Sequence, residues 1–499
     1  MKKEGALFDL IKSLTKSEKR FFKLYASRYI MGEKNSYVKL FEFIDKLNHY
    51  DEGVFRKRIE TVSFSGNLRG VKNYLYFLIL DCLDIYHKDS SIDRRASKYI
   101  NIARVLSDKR LDGQSNKMIE KARKLSDEFN RFENIIALNA LHKITDFKRE
   151  TISAEKIGAY YNENFSAIED LRTKLSYNQL YDELHFKRLS VGLITSDEEK
   201  KKIIAEYKTH PFNKPPSGNY FDAHMYYLLA KIEYYRMLMD TDNGGIHIRK
   251  LLYLFEGNAN RIADNVNHYI YALNVFISER VFQEKREEAD SVLHKLISLP
   301  SLIGESSVSH DVKVQVFQIY YTLLTHIALI FRDYDNALPH IRKYESEKIK
   351  LEEFFTPSFR LCMQSNIACI YFGAGQLKLA LKWCNIAMEH PPKTRDDVTY
   401  VVRILYLLTH FELGNQIILP NLIKSAQHYL HKVGRENKFT SLFFKHLKGL
   451  LRSESKKEQA PILLDFKSDL IKLREDKYES DIFDDIDLLG WVDAKLKGQ

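Results

Sequence analysis

Glycine and proline are scarce in this chain, whose 499 residues include only 20 glycines and 10 prolines. Average proteins contain roughly 7% and 5% of these residues. Folds built of strands and tight turns need both residues at their turns, so the shortage argues against such folds and favours long helices. A charged fraction of 29% beside a hydrophobic fraction of 44% is typical of a globular chain with amphipathic elements.

Cysteine is also sparse. The four cysteines are Cys82, Cys362, Cys369 and Cys384, and no two of them form a CxxC pair. So few in a chain of this length do not predict a disulfide framework, and we expect buried free thiols in a reducing cytosol. A thiol metal or redox site is the alternative, because Cys362 and Cys369 share a helix face and Cys384 can lie opposite them. That site would lack a fourth ligand.

The chain contains no long apolar run. Its longest clean one, Tyr74 to Leu80, is far shorter than the ~20 residues needed to span a bilayer. The start, MKK, resembles the basic region of a signal peptide, but Glu4, Asp9 and Lys12 interrupt any apolar stretch behind it. We therefore expect a cytoplasmic protein that does not bind a membrane.

Positive charge is concentrated at the beginning of the chain. Residues 1–40 carry ten bases and four acids, a net charge of +6 out of +10 for the whole sequence. Among them Lys16, Lys19, Arg20 and Lys23 recur at the spacing of one helix face, beside two phenylalanines. Such a face can meet the phosphates of a nucleic acid. The alternative is a solvated helix face whose aromatic residues lie in the core.

The clearest repeat-like stretch runs from Gln364 to Pro392. Two helical patterns meet there at the sequence GAG, residues 373–375, and Ala368, Ala380 and Ala387 stand twelve and seven residues apart. Small side chains at these places allow two helices to approach closely. The pattern resembles a tetratricopeptide repeat, which has its small residues at these separations.

The match to that family is incomplete. Gln364 and Cys384 stand where the family has bulky side chains. Weaker similarity to the repeat surrounds Ala289 and Ala337, which are 48 residues apart rather than 34. If these are repeats, their helices are long and their loops irregular. The alternative interpretation is a single helical hairpin in an unrelated all-α protein.

The resemblance implies a binding groove. In tetratricopeptide arrays the first helices of successive hairpins line a concave surface. Carried onto this chain, the groove-facing positions are Cys362, Ser365, Cys369 and Phe372, with Thr409 and Glu412 in the next hairpin. Because no basic or asparagine side chain stands at these positions, the groove lacks the clamp by which some family members hold a C-terminal carboxylate. We expect it to bind the apolar face of a helix instead.

Enzyme motifs are missing from the sequence. It contains no GxGxxG after a strand, no GxxxxGK[ST], no HExxH and no GxSxG. Ser13 and Lys16 fit the SxxK spacing of penicillin-binding enzymes, but Thr15 and Glu18 form a helix-capping box that accounts for the stretch. We therefore expect no catalysis, no cofactor and no metal site. The acidic cluster at 481–487 is predicted to be a solvated C-terminal face.

Four segments follow from these patterns. They are a basic helical module at 1–90, helical hairpins at 91–208, tetratricopeptide-like repeats at 219–452, and a helical cap with an acidic tail at 453–499. The stretch Thr209–Gly218 separates the second from the third, because its three prolines disfavour helix. The predicted fold is all-α, an α-solenoid of stacked helical hairpins with an N-terminal helical module.

Two functions are compatible with this organisation. The first is a non-catalytic scaffold or adaptor that binds a peptide or helix of a protein partner through the concave surface. The alternative is a transcriptional regulator or other nucleic-acid-binding protein with a basic head and a repeat-built sensor body. The opening sequence LFDLIKSLTKSEKRFFKLYA also resembles uncharacterised bacterial helical-repeat proteins. That resemblance implies a bacterial setting and no particular activity.

Overall fold

A computed structural model describes residues 5–29, 34–47, 49–54, 57, 68–89, 91–191, 197–208, 213–218, 220–304, 308–389, 395–476 and 479–497. Every regular element in these ranges is a helix, and the ranges contain no β-strand. The predicted all-α class is therefore confirmed. Within the same ranges, no helix is both long and apolar enough to cross a membrane.

The chain divides into two compact units, Met1–Leu171 and Arg172–Gln499. The division falls inside a 38-residue helix, Ala154–Val191. The segment boundaries that we expect from the sequence, at 90, 208–219 and 452, stay predictions. Residues 209–212 of the predicted linker lie outside the described residues.

At the start of the first unit, four of the described helices form a core. They are α1 (Ala6–Ser13), α2 (Lys16–Tyr29), α3 (Lys34–Lys46) and α4 (Leu68–Tyr86). Both α1 and α2 pack against α3 and α4. Phe22 and Phe41 are almost fully buried in this core, with ring centres 4.5 Å apart. The capping box is confirmed at the start of α2, where the Thr15 amide donates to Glu18 at 2.7 Å and the Glu18 amide donates to the Thr15 hydroxyl at 3.2 Å.

Three helices of 17 residues each follow, joined by short turns. They are α5 (Ile92–Asp108), α6 (Asp112–Glu128) and α7 (Phe132–Lys148), and the long helix Ala154–Val191 is α8. Two residues beyond the end of each helix stands a residue with positive φ: Arg110, Asn130 or Glu150. The amide that follows donates to the carbonyl five residues earlier, as Leu111 does to Leu106 at 2.9 Å. This bond satisfies a carbonyl at the helix end.

The second unit is a succession of helical hairpins. The hairpins comprise α10 to α21; in this range the even-numbered helices are the first helices of the hairpins, and the odd-numbered helices are the second. The helices are α9 (Asp197–Tyr207), α10 (Phe221–Met237), α11 (Thr241–Glu256), α12 (Val266–Phe282), α13 (Arg286–Leu302), α14 (His310–Ile330), α15 (Tyr334–Glu347), α16 (Pro357–Gly373), α17 (Leu377–Glu389), α18 (Asp396–Glu412), α19 (Leu419–Lys432), α20 (Lys438–Arg452), α21 (Lys456–Glu475), α22 (Ile482–Asp485) and α23 (Leu488–Lys497).

The hairpins pack in a regular order. In the middle of the unit, first helices of successive hairpins contact each other: α12 contacts α14, α14 contacts α16, and α16 contacts α18. The second helix α17 lies against both its own first helix, α16, and the next one, α18. Ala368, Ala380 and Ala387 are almost fully buried. Their small side chains therefore lie in the core of this hairpin, as the sequence pattern predicts.

Five turns between first and second helices share one geometry. A residue with positive φ stands in each of them, at Met239, Glu284, Arg332, Gly375 and Gly414. The amide that follows each one donates to the carbonyl five residues earlier, at 2.8 to 3.0 Å. Glycine enters this region of backbone conformation without steric cost, but only two of the five turns use it.

Candidate functional site

The predicted groove residues lie on α16 and α18. With α14 and the start of α20, these helices form what we call the first-helix face. The face is covered by residues 479–497 of the same chain, which we call the C-terminal segment. Within the segment, α22 contacts α14 and α23 contacts α21. Its apolar side chains join the hydrophobic core of the hairpins, and these are Ile482, Phe483, Ile486, Leu488, Trp491 and Val492.

The C-terminal segment begins at the N-terminus of α20. The Glu479 carboxylate accepts hydrogen bonds from the amides of Lys438 and Phe439, at 3.1 and 3.0 Å. Amides in the first turn of a helix have no partner within that helix, and the helix dipole favours a negative charge there. Phe483 then lies beside Phe439, with ring centres 6.3 Å apart. The start of α20 thus binds the segment through both charge and an aromatic contact.

Arg332 binds the middle of the C-terminal segment. It follows α14 and has a φ of 56°. Its guanidinium donates to the carbonyls of Leu329 at 2.8 Å and Asp484 at 3.4 Å, and also to that of Phe483. The last carbonyls of a helix lack partners and attract a cation. One side chain therefore joins the end of α14 to the end of α22.

Trp491 attaches α23 to the end of α18. Its indole Nε1 donates to Glu412 Oε1 at 2.7 Å, and its ring centre lies 6.1 Å from that of Phe411. Lys495 pairs with the other oxygen of Glu412 at 2.8 Å and lies over the Phe411 ring. Trp491 is 9% exposed. A tryptophan with a buried ring and a bonded N–H is a typical anchor of a binding interface.

The acidic residues of the C-terminal segment are drawn into the contact. Burial raises the pKa of Asp485 to about 7; Asp484, Asp481 and Asp397 add to the effect, and Arg332 opposes it. Burial also raises the pKa of Asp484 to about 6. Both side chains are partly buried. The prediction of a solvated acidic face is wrong for these two residues, because the segment packs on the hairpins.

Two predicted groove residues of α16, Ser365 and Cys369, are each only 3% exposed. Burial, with a further contribution from the charge of Asp485, raises the pKa of the Cys369 thiol. A thiol with a raised pKa is a poor nucleophile and a poor metal ligand. These two side chains therefore belong to the interior between α16 and its neighbours.

The remaining predicted groove residues differ in exposure. Cys362 and Phe372 are partly buried, and Cys362 Sγ accepts a hydrogen bond from Arg395 at 3.0 Å. Thr409 is fully buried, and its hydroxyl donates to a carbonyl of its own helix at 2.7 Å. Glu412 is partly buried and binds the C-terminal segment. That all six residues contact a partner stays a prediction.

Two of the four basic side chains predicted to meet a nucleic acid form ion pairs with α3. Lys19 lies 2.6 Å from Asp45, and Lys23 lies 2.7 Å from Glu42. The other two are exposed and form no ion pair with a described residue; they are Lys16 and Arg20. Half of the predicted basic face is thus already neutralised within the first unit.

A buried carboxylate of α10 lies at the centre of a polar cluster. Glu233 is fully buried and is bound by His185 at 2.8 Å, by the Tyr271 hydroxyl at 2.6 Å and by Arg188. Burial alone would raise its pKa, but these hydrogen bonds and charges lower the pKa to about 2. A general base at neutral pH needs a pKa much closer to 7. The cluster therefore serves to join α8, α10 and α12.

The residues that hold the C-terminal segment carry little sequence signal. Trp491 is one of only two tryptophans in the chain, and it follows Leu488 and Leu489 in a segment that also contains many acids. A large ring there needs a place to be buried, and this was the one available indication. Arg332 offered none, because its role depends on the backbone of a distant segment.

Within the described ranges, no group of three or more His, Cys, Asp or Glu side chains is placed to hold a metal ion. The chain matches no protein-family model, no curated protein and no solved structure. The geometry of the first-helix face and its cover is therefore the main guide to function.

Proposed function

We propose that this protein is a non-catalytic scaffold or adaptor that binds a helix or peptide of a protein partner on the first-helix face. It acts in the bacterial cytoplasm and uses no cofactor. One observation carries the proposal: the face already binds a polypeptide segment, through a buried aromatic anchor and charged contacts on either side of it. An anchor of this kind, surrounded by polar contacts, is how grooves recognise amphipathic helices.

In this proposal the second unit is an α-solenoid of tetratricopeptide-like hairpins. The contacts between successive first helices and the recurring turn geometry support it. A solenoid also buries one continuous core across its repeats. In the second unit, one hydrophobic cluster extends from α10 to α14 and another from α14 to α23, so that α14 belongs to both.

A charge on the first-helix face tests the proposal. Phe372→Glu places a carboxylate on α16, where it opposes an apolar helix. Tyr253→Glu is the matched control, because this side chain on the second helix α11 is 81% exposed. We expect affinity capture from bacterial cytosol to lose its protein partners with Phe372→Glu and to keep them with Tyr253→Glu, at equal helical content by circular dichroism. Equal capture by both variants would overturn the proposal.

A nucleic-acid-binding regulator is the second candidate. It is favoured by the exposed side chains of Lys16 and Arg20 on α2. The ion pairs of Lys19 and Lys23 with α3 reduce the charge available to phosphates. For this reason we place it behind the protein-binding function.

A further inference from the structure

The C-terminal segment has the composition of a ligand. Its sequence, ESDIFDDIDLLGWVDAKLK, contains six acidic and two basic side chains. Five of the acids precede Trp491, and both lysines follow it. In order along the chain, the segment therefore consists of a stretch with both acidic and apolar side chains, an aromatic anchor and a basic end.

The first-helix face makes a different polar contact at each end of that order. Arg332 donates to the main-chain carbonyls of Phe483 and Asp484 in the acidic stretch, and Glu412 pairs with Lys495 at the basic end. Between these two contacts the Trp491 ring is buried beside Phe411. The Arg332 cation at one end and the Glu412 carboxylate at the other favour one direction of the segment, because the reversed orientation would place the lysines beside Arg332 and the acids beside Glu412.

The segment is held by the face and by α21 rather than by its own helices. α22 has four residues and α23 has ten. Helices of these lengths are marginal in water when isolated. Release of the segment therefore removes its contacts and its order together.

We infer that the C-terminal segment is a built-in competitor for the partner site, and that the partner presents a helix of the same chemistry: acidic and apolar first, then an aromatic anchor, then a basic end. This inference rests on the proposed function. In the resting protein the segment closes the face, and a partner binds by replacing it. The partner's affinity is lowered by the fraction of molecules in which the face is closed.

A peptide in trans tests the inference on the full-length protein. The probe is a fluorescein-labelled peptide of residues 479–497, and the measurement is its anisotropy during titration with protein. Trp491→Ala weakens the bound segment, so we expect this variant to bind the peptide at least about tenfold more tightly than the wild type does. The same peptide carrying Trp491→Ala should not bind.

The second tryptophan supplies the matched control. Trp383 on α17 is 6% exposed, close to the 9% of Trp491, but it lies outside the C-terminal segment. Trp383→Ala loosens the hairpins without opening the face. Tight peptide binding by Trp491→Ala alone supports the inference. No gain with Trp491→Ala, or an equal gain with Trp383→Ala, overturns it.

Partner capture with the same variants separates this inference from the proposed function. If Trp491→Ala binds the peptide and also captures more cytosolic partners than the wild type, both hold. If the peptide binds but no partner is captured, the face serves only its own segment, and both the proposed function and the partner inference fail. If partners are captured equally by wild type and Trp491→Ala and the peptide does not bind, the inference fails and the proposed function stands.

Discussion

The basic face of α2 and the first-helix face both contact other parts of the same chain. The two faces differ in which part of the chain makes the contact. On α2, Lys19 and Lys23 pair with two acids of α3, which belongs to the same four-helix core. The first-helix face is covered instead by two short helices that converge on a few side chains. A charge that is paired within one helical core stabilises that core and is not available to a partner. A face matched by a short segment can exchange that segment for another of like chemistry.

The largest effect should come from the two tryptophans. Trp383→Ala removes a core side chain and should lower the free energy of unfolding by about 3–5 kcal/mol. Trp491→Ala should cost less, because the loss cannot exceed the free energy that holds the C-terminal segment to the face. Chemical denaturation of each variant measures both losses.

A double substitution sharpens this comparison. Once Trp491→Ala has released the segment, adding Phe483→Ala should cost under about 1 kcal/mol more, because Phe483 has already left the core. In a Trp383→Ala background the segment is still bound, so the two losses should add. Additive losses in both backgrounds would mean that the segment is an integral part of the fold.

The pH should tune the closure of the first-helix face. The bound segment holds Asp485 with a pKa of about 7 and Asp484 with a pKa of about 6, against 3.8 for either when exposed. The bound state therefore carries more protons between pH 4 and 7, and its stability falls as the pH rises through that window. The facing charges are Arg332, Asp481 and Asp397 for Asp485, and Arg332, Asp481 and Arg474 for Asp484.

Trp491 fluorescence can report this change. In a Trp383→Phe variant it is the only tryptophan of the chain. We expect its emission to shift to the red between pH 5.5 and 8.5, as the segment leaves the face and the indole enters water. Asp485→Asn in the same background cannot gain a charge and should shift much less. A shift to the red on acidification would contradict this account.

The hydrogen bond between Trp491 and Glu412 should have a moderate effect. Glu412→Ala leaves the indole N–H without its acceptor, at a cost of about 1–3 kcal/mol in the free energy of unfolding. Glu412→Gln keeps an acceptor and loses only the partly exposed ion pair with Lys495, which contributes about 0.2–1 kcal/mol. Glu353→Gln, at an exposed position, serves as the neutral control. Equal losses for the Ala and Gln variants would show that the N–H bond contributes nothing.

The smallest effect should appear at the basic face of α2. Each phosphate neutralised by a protein cation contributes about −0.9 to the slope of log K against log salt. Two exposed cations can therefore account for a slope change of about 2 at most. For mixed-sequence DNA, we expect Lys16→Gln/Arg20→Gln to change the slope of log K against log salt by less than about 2. A complete loss of tight DNA binding in that variant would favour the regulator.

The hairpins illustrate which part of the fold can be read from the sequence. Gly375 and Gly414 mark their turns, because glycine is the usual residue at positive φ. Met239, Glu284 and Arg332 adopt the same conformation without glycine, and no local pattern distinguishes them from helical residues. The surrounding packing imposes their conformation. For this reason the hairpins before α16 show only weak repeat patterns in the sequence.

The candidate site was harder to predict than the hairpins. The spacing of Ala368, Ala380 and Ala387 correctly predicted small buried residues in one hairpin. The acidic stretch near Asp485 was predicted to be solvated because it contains many charged side chains. Its burial follows from contacts with Arg332 and α14, which lie more than 150 residues away in the sequence. No local pattern contains such a long-range contact.

Hydrogen exchange of the full-length protein tests the central claim most directly, because it measures the opening free energy of each part of the native structure. If the C-terminal segment is an exchangeable cover, amides in 479–497 should open at a free energy at least about 2 kcal/mol below that of the amides in α16 and α17. The segment would then leave while the hairpins remain folded. Equal opening free energies for the segment and for α16 would contradict the account, since the segment would then unfold only together with the hairpins.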